Sequence, residues 1–188
     1  QLPEVMDIGD RLLGSDFILG SFAGNTLPPG DGAQAPHLDY PHWNASPDDR
    51  AKGRWPAMPT PPFFLNMQML IAMNDFTVEN GATAVLPFAQ SKSAWPEPED
   101  WATNHIQLEI EAGTVVLFVG ALPHGSMDNR SSANRTSLLA QYLPSFVRPM
   151  EDHDVCVGPE ARSRATPRLK QLLGDDLIYP KVFDPDCL

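Results

Sequence analysis

Along most of the chain, short apolar runs alternate with clusters of Gly, Pro, Asn and Asp, the punctuation of a β-rich domain. The pattern predicts strands over 16–23, 34–39, 64–74, 82–86, 105–110, 114–119 and 136–143. Short strands at this spacing indicate a sandwich or jelly roll. In HIQLEI the apolar and polar positions alternate, EAG supplies a turn, and TVVLFV is apolar almost throughout. Residues 105–119 therefore read as a hairpin whose second strand is buried on both faces. FLNMQMLIAMN, at 64–74, alternates weakly and also has the composition of a buried helix. Pro61 and Pro62 before it favour an extended entry.

Helices are predicted at the two ends. EVMDIGDRLL, residues 4–13, is a short amphipathic stretch stopped by Gly14. ATPRLKQLLG carries Thr166 as cap, Pro167 in the first turn and Gly174 as stop. From 148 onward the chain is polar. The expectation is one domain over 1–188, with its core at about 16–150 and a polar C-terminal segment over 151–188 that holds the short helix. The chain begins with Gln1 rather than Met, so a preceding segment is expected to be missing.

Composition narrows the function. With 42% hydrophobic and 9% aromatic residues the chain can build a genuine core. A net charge of −11 argues against a nucleic-acid partner and against an anionic membrane surface. The apolar runs near 63–73 and 114–122 are shorter than the roughly 20 residues that span a bilayer, and no signal peptide opens the chain. The reading is a soluble, cytoplasmic protein acting on a small molecule, its oligomeric state, homodimer included, left open. Cys156 and Cys187 form neither a zinc motif nor a disulfide framework and are read as free thiols. The 20 prolines cluster in loops, and the loop after the first histidines carries Arg50, Lys52 and Arg54, in the position of a lid or of an ordinary solvated loop.

The candidate chemistry starts at QAPHLDYPHW. His37 and Asp39 are two apart, so an extended backbone sends both side chains to one face. His124 directly follows a buried strand and is placed in a tight LPHGS turn, where a strand end holds a ligand rigidly. Two imidazoles and one carboxylate suit ferrous iron with three positions left for a chelating oxo acid and dioxygen. Arg135 opens the next apolar strand, eleven residues after His124. A guanidinium there is costly to bury unless it meets an anion.

This spacing, with the NGAT turn between the first and last ligands, resembles the phytanoyl-CoA dioxygenase family of iron(II)- and 2-oxoglutarate-dependent oxygenases. The resemblance covers about residues 16–150. It implies a mainly β fold, a double-stranded β-helix (jelly roll, cupin-like) with a few flanking helices. It also implies His37, Asp39 and His124 as catalytic iron ligands and Arg135 as anchor for 2-oxoglutarate. By the same resemblance Gln34, Thr83 and Ser126 contact that co-substrate. Oxygen and the oxo acid would be consumed, succinate and carbon dioxide released, and an unactivated C–H of a small organic substrate hydroxylated or otherwise oxidised. Iron halogenases lack the carboxylate, so Asp39 favours hydroxylation or desaturation. The sequence departs from the family in two places. Members carry a longer helical segment before the first ligand, and PFAQSKS stands where PGSH is frequent.

Each residue also has a plainer reading. Tyr40 and Trp43 are candidates for the substrate pocket or for ordinary core. His42, three beyond Asp39 and past Pro41, is read as a pocket wall or surface residue rather than a ligand. His105 and His153 are read as solvated, and Arg130 as an exposed rival of Arg135. Gln34 and Thr83 can be plain strand and turn residues, and Ser126 can simply satisfy the backbone of its own turn. Two functional alternatives stand beside the oxygenase: a β-helix module that binds metal or ligand without turnover, and a cupin-like isomerase or hydrolase using another metal.

Overall fold

The computed structural model describes residues 1–39, 64–92 and 96–175. Helix α1, Pro3–Leu13, starts on a proline at its first turn and ends at Gly14, whose φ of 99° suits a residue without a Cβ. The strands are β1 Ile18–Leu27, β2 Met67–Ala72, β3 Thr83–Val85, β4 Ile106–Gln107, β5 Val115–Phe118, β6 His124–Ser126 and β7 Arg135–Leu143. Among the described residues four more α-helices follow, α2 Pro98–Asn104, α3 His153–Cys156, α4 Pro159–Ser163 and α5 Pro167–Leu172, and a short 3-10 helix covers Ala89–Lys92. The fold is mainly β with antiparallel sheets and few helices, as the pattern predicts.

The larger sheet has the order β1-β7-β2-β5 and the smaller the order β4-β3-β6. In antiparallel pairs, directly opposed residues share a face. The pairs Leu70–Leu139, Gln68–Gln141 and Ala72–Ser137, with Phe118 beside Gln68, therefore define one face of the larger sheet. Leu70, Ala72, Phe76 and Ala82 form a core cluster there, packed by Val116, Phe118 and Leu139. Met67, Met69, Ala140 and Tyr142 alternate to the opposite face, where Val5, Met6 and Leu13 of α1 and Leu172 of α5 cover them. Phe17, fully buried, meets the Tyr142 ring edge-on with centroids 5.4 Å apart. This double burial is why 64–74 alternates so weakly, and it resolves that segment as strand rather than helix.

Several expectations are corrected. The 105–119 segment does turn at Gly113, φ 86°, but its two arms join different sheets: β4 pairs with β3, and β5 with β2. Alternation encodes which face is buried, not which neighbour is taken. The β5 residues are also only half-buried. Residues 34–39 make a single bridge at His37 instead of a strand, since Pro36 cannot donate to a ladder. His124 lies within strand β6, not in a turn. His153 is not solvated: it is 6% exposed in α3, with Nε2 2.8 Å from the Leu19 carbonyl. His105 ends α2, stacked on Trp101 with Nδ1 2.7 Å from its carbonyl. Thr166 caps α5 by accepting from the Leu169 amide, and Gly174 follows with a φ of 84°. Cys156 is a free, exposed thiol. Tyr40, His42, Trp43, the Arg50–Lys52–Arg54 loop, Pro61, Pro62 and Cys187 lie outside the described residues. Among the described residues no helix is long and apolar enough to cross a membrane.

Candidate metal centre and active site

The segment before Asp39 reaches the centre by pairing with β6. The Gln34 amide donates to the Ser126 carbonyl (2.8 Å), and His37 and His124 exchange both of their backbone bonds (2.9 and 3.1 Å). Close approach requires Gly125, because a Cβ there would stand 2.9 Å from the Gln34 carbonyl oxygen. The pairing sets the two imidazoles 4.4 Å apart, centroid to centroid. The Asp39 amide then donates to the Gly120 carbonyl, 3.0 Å away.

His37, Asp39 and His124 each offer one ligand atom, and those atoms lie within 4.8 Å of one another. His37 Nε2 is 3.6 Å from Asp39 Oδ1, and His124 Nε2 is 3.4 Å from Asp39 Oδ2. Both rings have Nδ1 against a backbone carbonyl: His37 on Ala35 O at 3.1 Å, His124 on Leu122 O at 2.9 Å. A carbonyl can only accept, so Nδ1 carries the proton and each Nε2 lone pair faces the carboxylate, the tautomer a metal requires. Burial, and next the neighbouring His124, lower the His37 pKa against the raising effects of Ala35 and Asp39, which favours the neutral ligating form. The donor set fits a divalent transition metal that keeps open positions.

A cavity of about 150 Å³ adjoins the triad. Gln34, Thr83 and Ser126 line it together with His37, Asp39 and His124, and Leu70, Phe118 and Leu139 supply apolar wall. The sequence reading thus selected six residues that the fold brings around one space. Arg135 stands behind that wall rather than in it. Its guanidinium donates from Nη1 to Gly81 O (2.8 Å) and Thr83 Oγ1 (3.1 Å), and from Nη2 to Ser126 Oγ (3.1 Å). It also rides 4.6 Å above the Phe76 ring. The residue is 1% exposed, its partners are all neutral, and its Nε has none. Burial lowers its pKa to about 10, which leaves it charged at neutral pH. A buried cation with neutral partners and an orphan donor has the chemistry to receive an anion. Arg130 is exposed and does not compete.

The sequence reading missed two neighbours. Ser137 follows Arg135 by two on β7, hence on the same face, and its buried Oγ has no partner. Gln68 donates from Nε2 to Asp39 Oδ2 at 2.7 Å. A lone glutamine inside the apolar run NMQMLIA is a readable signal, because a buried amide needs a partner.

The chain is similar to known proteins in sequence and in fold. The chain is 29% identical over 157 residues to dioxygenase ALT11 of Alternaria alternata, covering 81% of this chain and 47% of that protein. It is 32% identical over 148 residues to dioxygenase trt7 of Aspergillus terreus, covering 78% of this chain and 46% of that protein. The chain spans about half the length of the curated relatives it matches. Among solved structures, the apo form of the non-heme monooxygenase ThoJ superposes with a TM-score of 0.57 at 18% identity, over 80% of this chain and 55% of that one. AviO1 from Streptomyces viridochromogenes gives 0.56 at 17% identity, over 79% and 61%. At such identities the likeness establishes the shared cupin-like jelly roll and nothing finer. A model of the phytanoyl-CoA dioxygenase (PhyH) family matches residues 3–137, and the chain belongs to that family.

Proposed function

We propose that the protein is an iron(II)- and 2-oxoglutarate-dependent dioxygenase that hydroxylates or otherwise oxidises an unactivated C–H of a small organic molecule. The observation that carries this reading is a two-histidine, one-carboxylate cluster opening onto a cavity backed by a buried arginine without an anionic partner. When bound, iron with the oxo acid and dioxygen supplies the oxidising chemistry. The chain's own part is placement. The Nε2 atoms of His37 and His124 and the Asp39 carboxylate would hold the metal, with the cavity adjoining them for small ligands. Arg135, with Ser137 on the same face and the hydroxyls of Thr83 and Ser126 in front, anchors the far carboxylate of the oxo acid; Gln34 borders the same space. Leu70, Phe118 and Leu139 exclude water from the reacting region. Tyr40 and Trp43, which lie outside the described residues, are the candidates for selecting the substrate.

The test is an anaerobic titration with iron(II) and 2-oxoglutarate, followed by admission of oxygen. A weak visible charge-transfer band, then release of succinate, is expected. His37→Ala and Asp39→Ala are expected to abolish succinate formation. Full turnover in both variants would refute the proposal. A band without any turnover would favour a binding module, and activity without oxygen or oxo acid a cupin-like isomerase or hydrolase.

A further inference from the structure

Gln68 contacts the centre without being a candidate ligand. It is the second residue of β2, paired with Phe118 of β5 on one side and Gln141 of β7 on the other. Its backbone is therefore fixed on both edges, and the residue is 7% exposed. Asp39 has the opposite character. It lies past the single bridge at His37, in no strand, with 33% of its side chain exposed. The bond between them is short, at 2.7 Å, and charge-assisted. A carboxylate only accepts, so the amide must present Nε2 to it.

We propose that Gln68 is a positioning residue, which sets the rotation of the Asp39 carboxylate and thereby the affinity of the His37–Asp39–His124 centre for its metal. This rests on the reading of that cluster as a metal centre. Gln68 is held in a ladder on both edges and Asp39 lies past the last bridge, so β2 is the scaffold against which the ligand's carboxylate is oriented. A carboxylate free to rotate about its last torsion would have to be ordered at the moment of binding. One held in place beforehand is not, which is how partners behind a ligand raise affinity.

The experiment is an anaerobic titration of the full chain with cobalt(II), followed by visible absorption, so that the readout is metal affinity and not turnover. Gln68→Met keeps length and removes the donor. It is expected to weaken cobalt binding by about 10–100-fold. Gln141→Met, at the opposed and similarly buried position, is expected to change affinity by less than about twofold, as for a site outside the network. The decisive arm repeats Gln68→Met in an Asp39→Gly background. If Gln68 acts through Asp39, the second change costs nothing further there. Should Gln68→Met fail to fold, Gln68→Asn keeps the amide, shortens its reach by a methylene, and is expected to show the same loss. Unchanged affinity in the folded variant, or an equal loss with and without Asp39, overturns the proposal. A wild-type chain that binds no cobalt would instead overturn the metal centre itself.

Discussion

The two faces of the larger sheet are built to different standards. On one, Met67, Met69, Ala140 and Tyr142 pack under α1 and α5 with Phe17 in one apolar cluster, and Arg168 and Gln171 of α5 add bonds to Asp10 and to the Ser15 and Phe17 carbonyls. On the other, the same strands carry Gln68, Arg135, Ser137 and Gln141, all buried and polar. That face meets the short strands β3 and β6 and a loop that pairs through one bridge. The first face stabilises, because burial of a large apolar side chain is worth about 1.5–3 kcal/mol. The second leaves Arg135 Nε and Ser137 Oγ unsatisfied, which is destabilising. Regular structure thus supplies the rigidity that an underpaired site lacks.

The largest effect that would break this division is on the covered face. Phe17→Ala removes a fully buried ring that also stacks under the Arg168 guanidinium at 4.6 Å. A loss of about 3–5 kcal/mol is expected in denaturant unfolding. Metal affinity per folded molecule is expected to stay unchanged. A parallel collapse of metal affinity at temperatures where the variant is folded would show that the two faces are not separable.

Arg135→Leu is the converse. It deletes the donor to the Gly81 carbonyl, about 1–3 kcal/mol, but also removes an uncompensated buried charge, whose replacement by an apolar group is often neutral or stabilising. Thermal stability without ligand is therefore expected to change much less than in Phe17→Ala. Affinity for 2-oxoglutarate, read by titration at fixed metal, is expected to fall by about 2–5 kcal/mol, roughly thirtyfold or more in Kd. Retained affinity would detach Arg135 from the anion site.

What was legible in the sequence follows the same division. His37, Asp39, His124 and Arg135 stand out because their chemistry is written in residue type: an H-x-D pair alone is common by chance, but its combination with His124 and Arg135 at this spacing points to a task. Strand β6 is invisible because HGS, three residues long, offers no alternation. The sheet switch between β4 and β5 is invisible because local pattern carries no partner information. Helix α2 hid behind prolines read as loop, although Pro98 at its first turn, with Glu99 and Asp100 next, is a helix start. His153 looked solvated in MEDHD, and nothing local says that its ring reaches Leu19 across the fold.

The smallest effect concerns a departure from the family pattern. Where relatives often have PGSH, this chain has PFAQSKS, and Phe88 holds a φ of 63° with 83% of its surface exposed. A side chain with a Cβ pays about 1–2 kcal/mol in that left-handed region, and an exposed ring returns little of it through burial. Phe88→Asn places there a residue that tolerates the conformation without glycine's extra freedom in the unfolded chain. A gain of about 0.5–1 kcal/mol in unfolding free energy is expected. Phe88→Gly should gain less, because the entropy of the unfolded state offsets part of the relief. Destabilisation in both variants would mean that the ring's contacts outweigh its strain, and that the bulky residue in the left-handed turn is kept for what it touches.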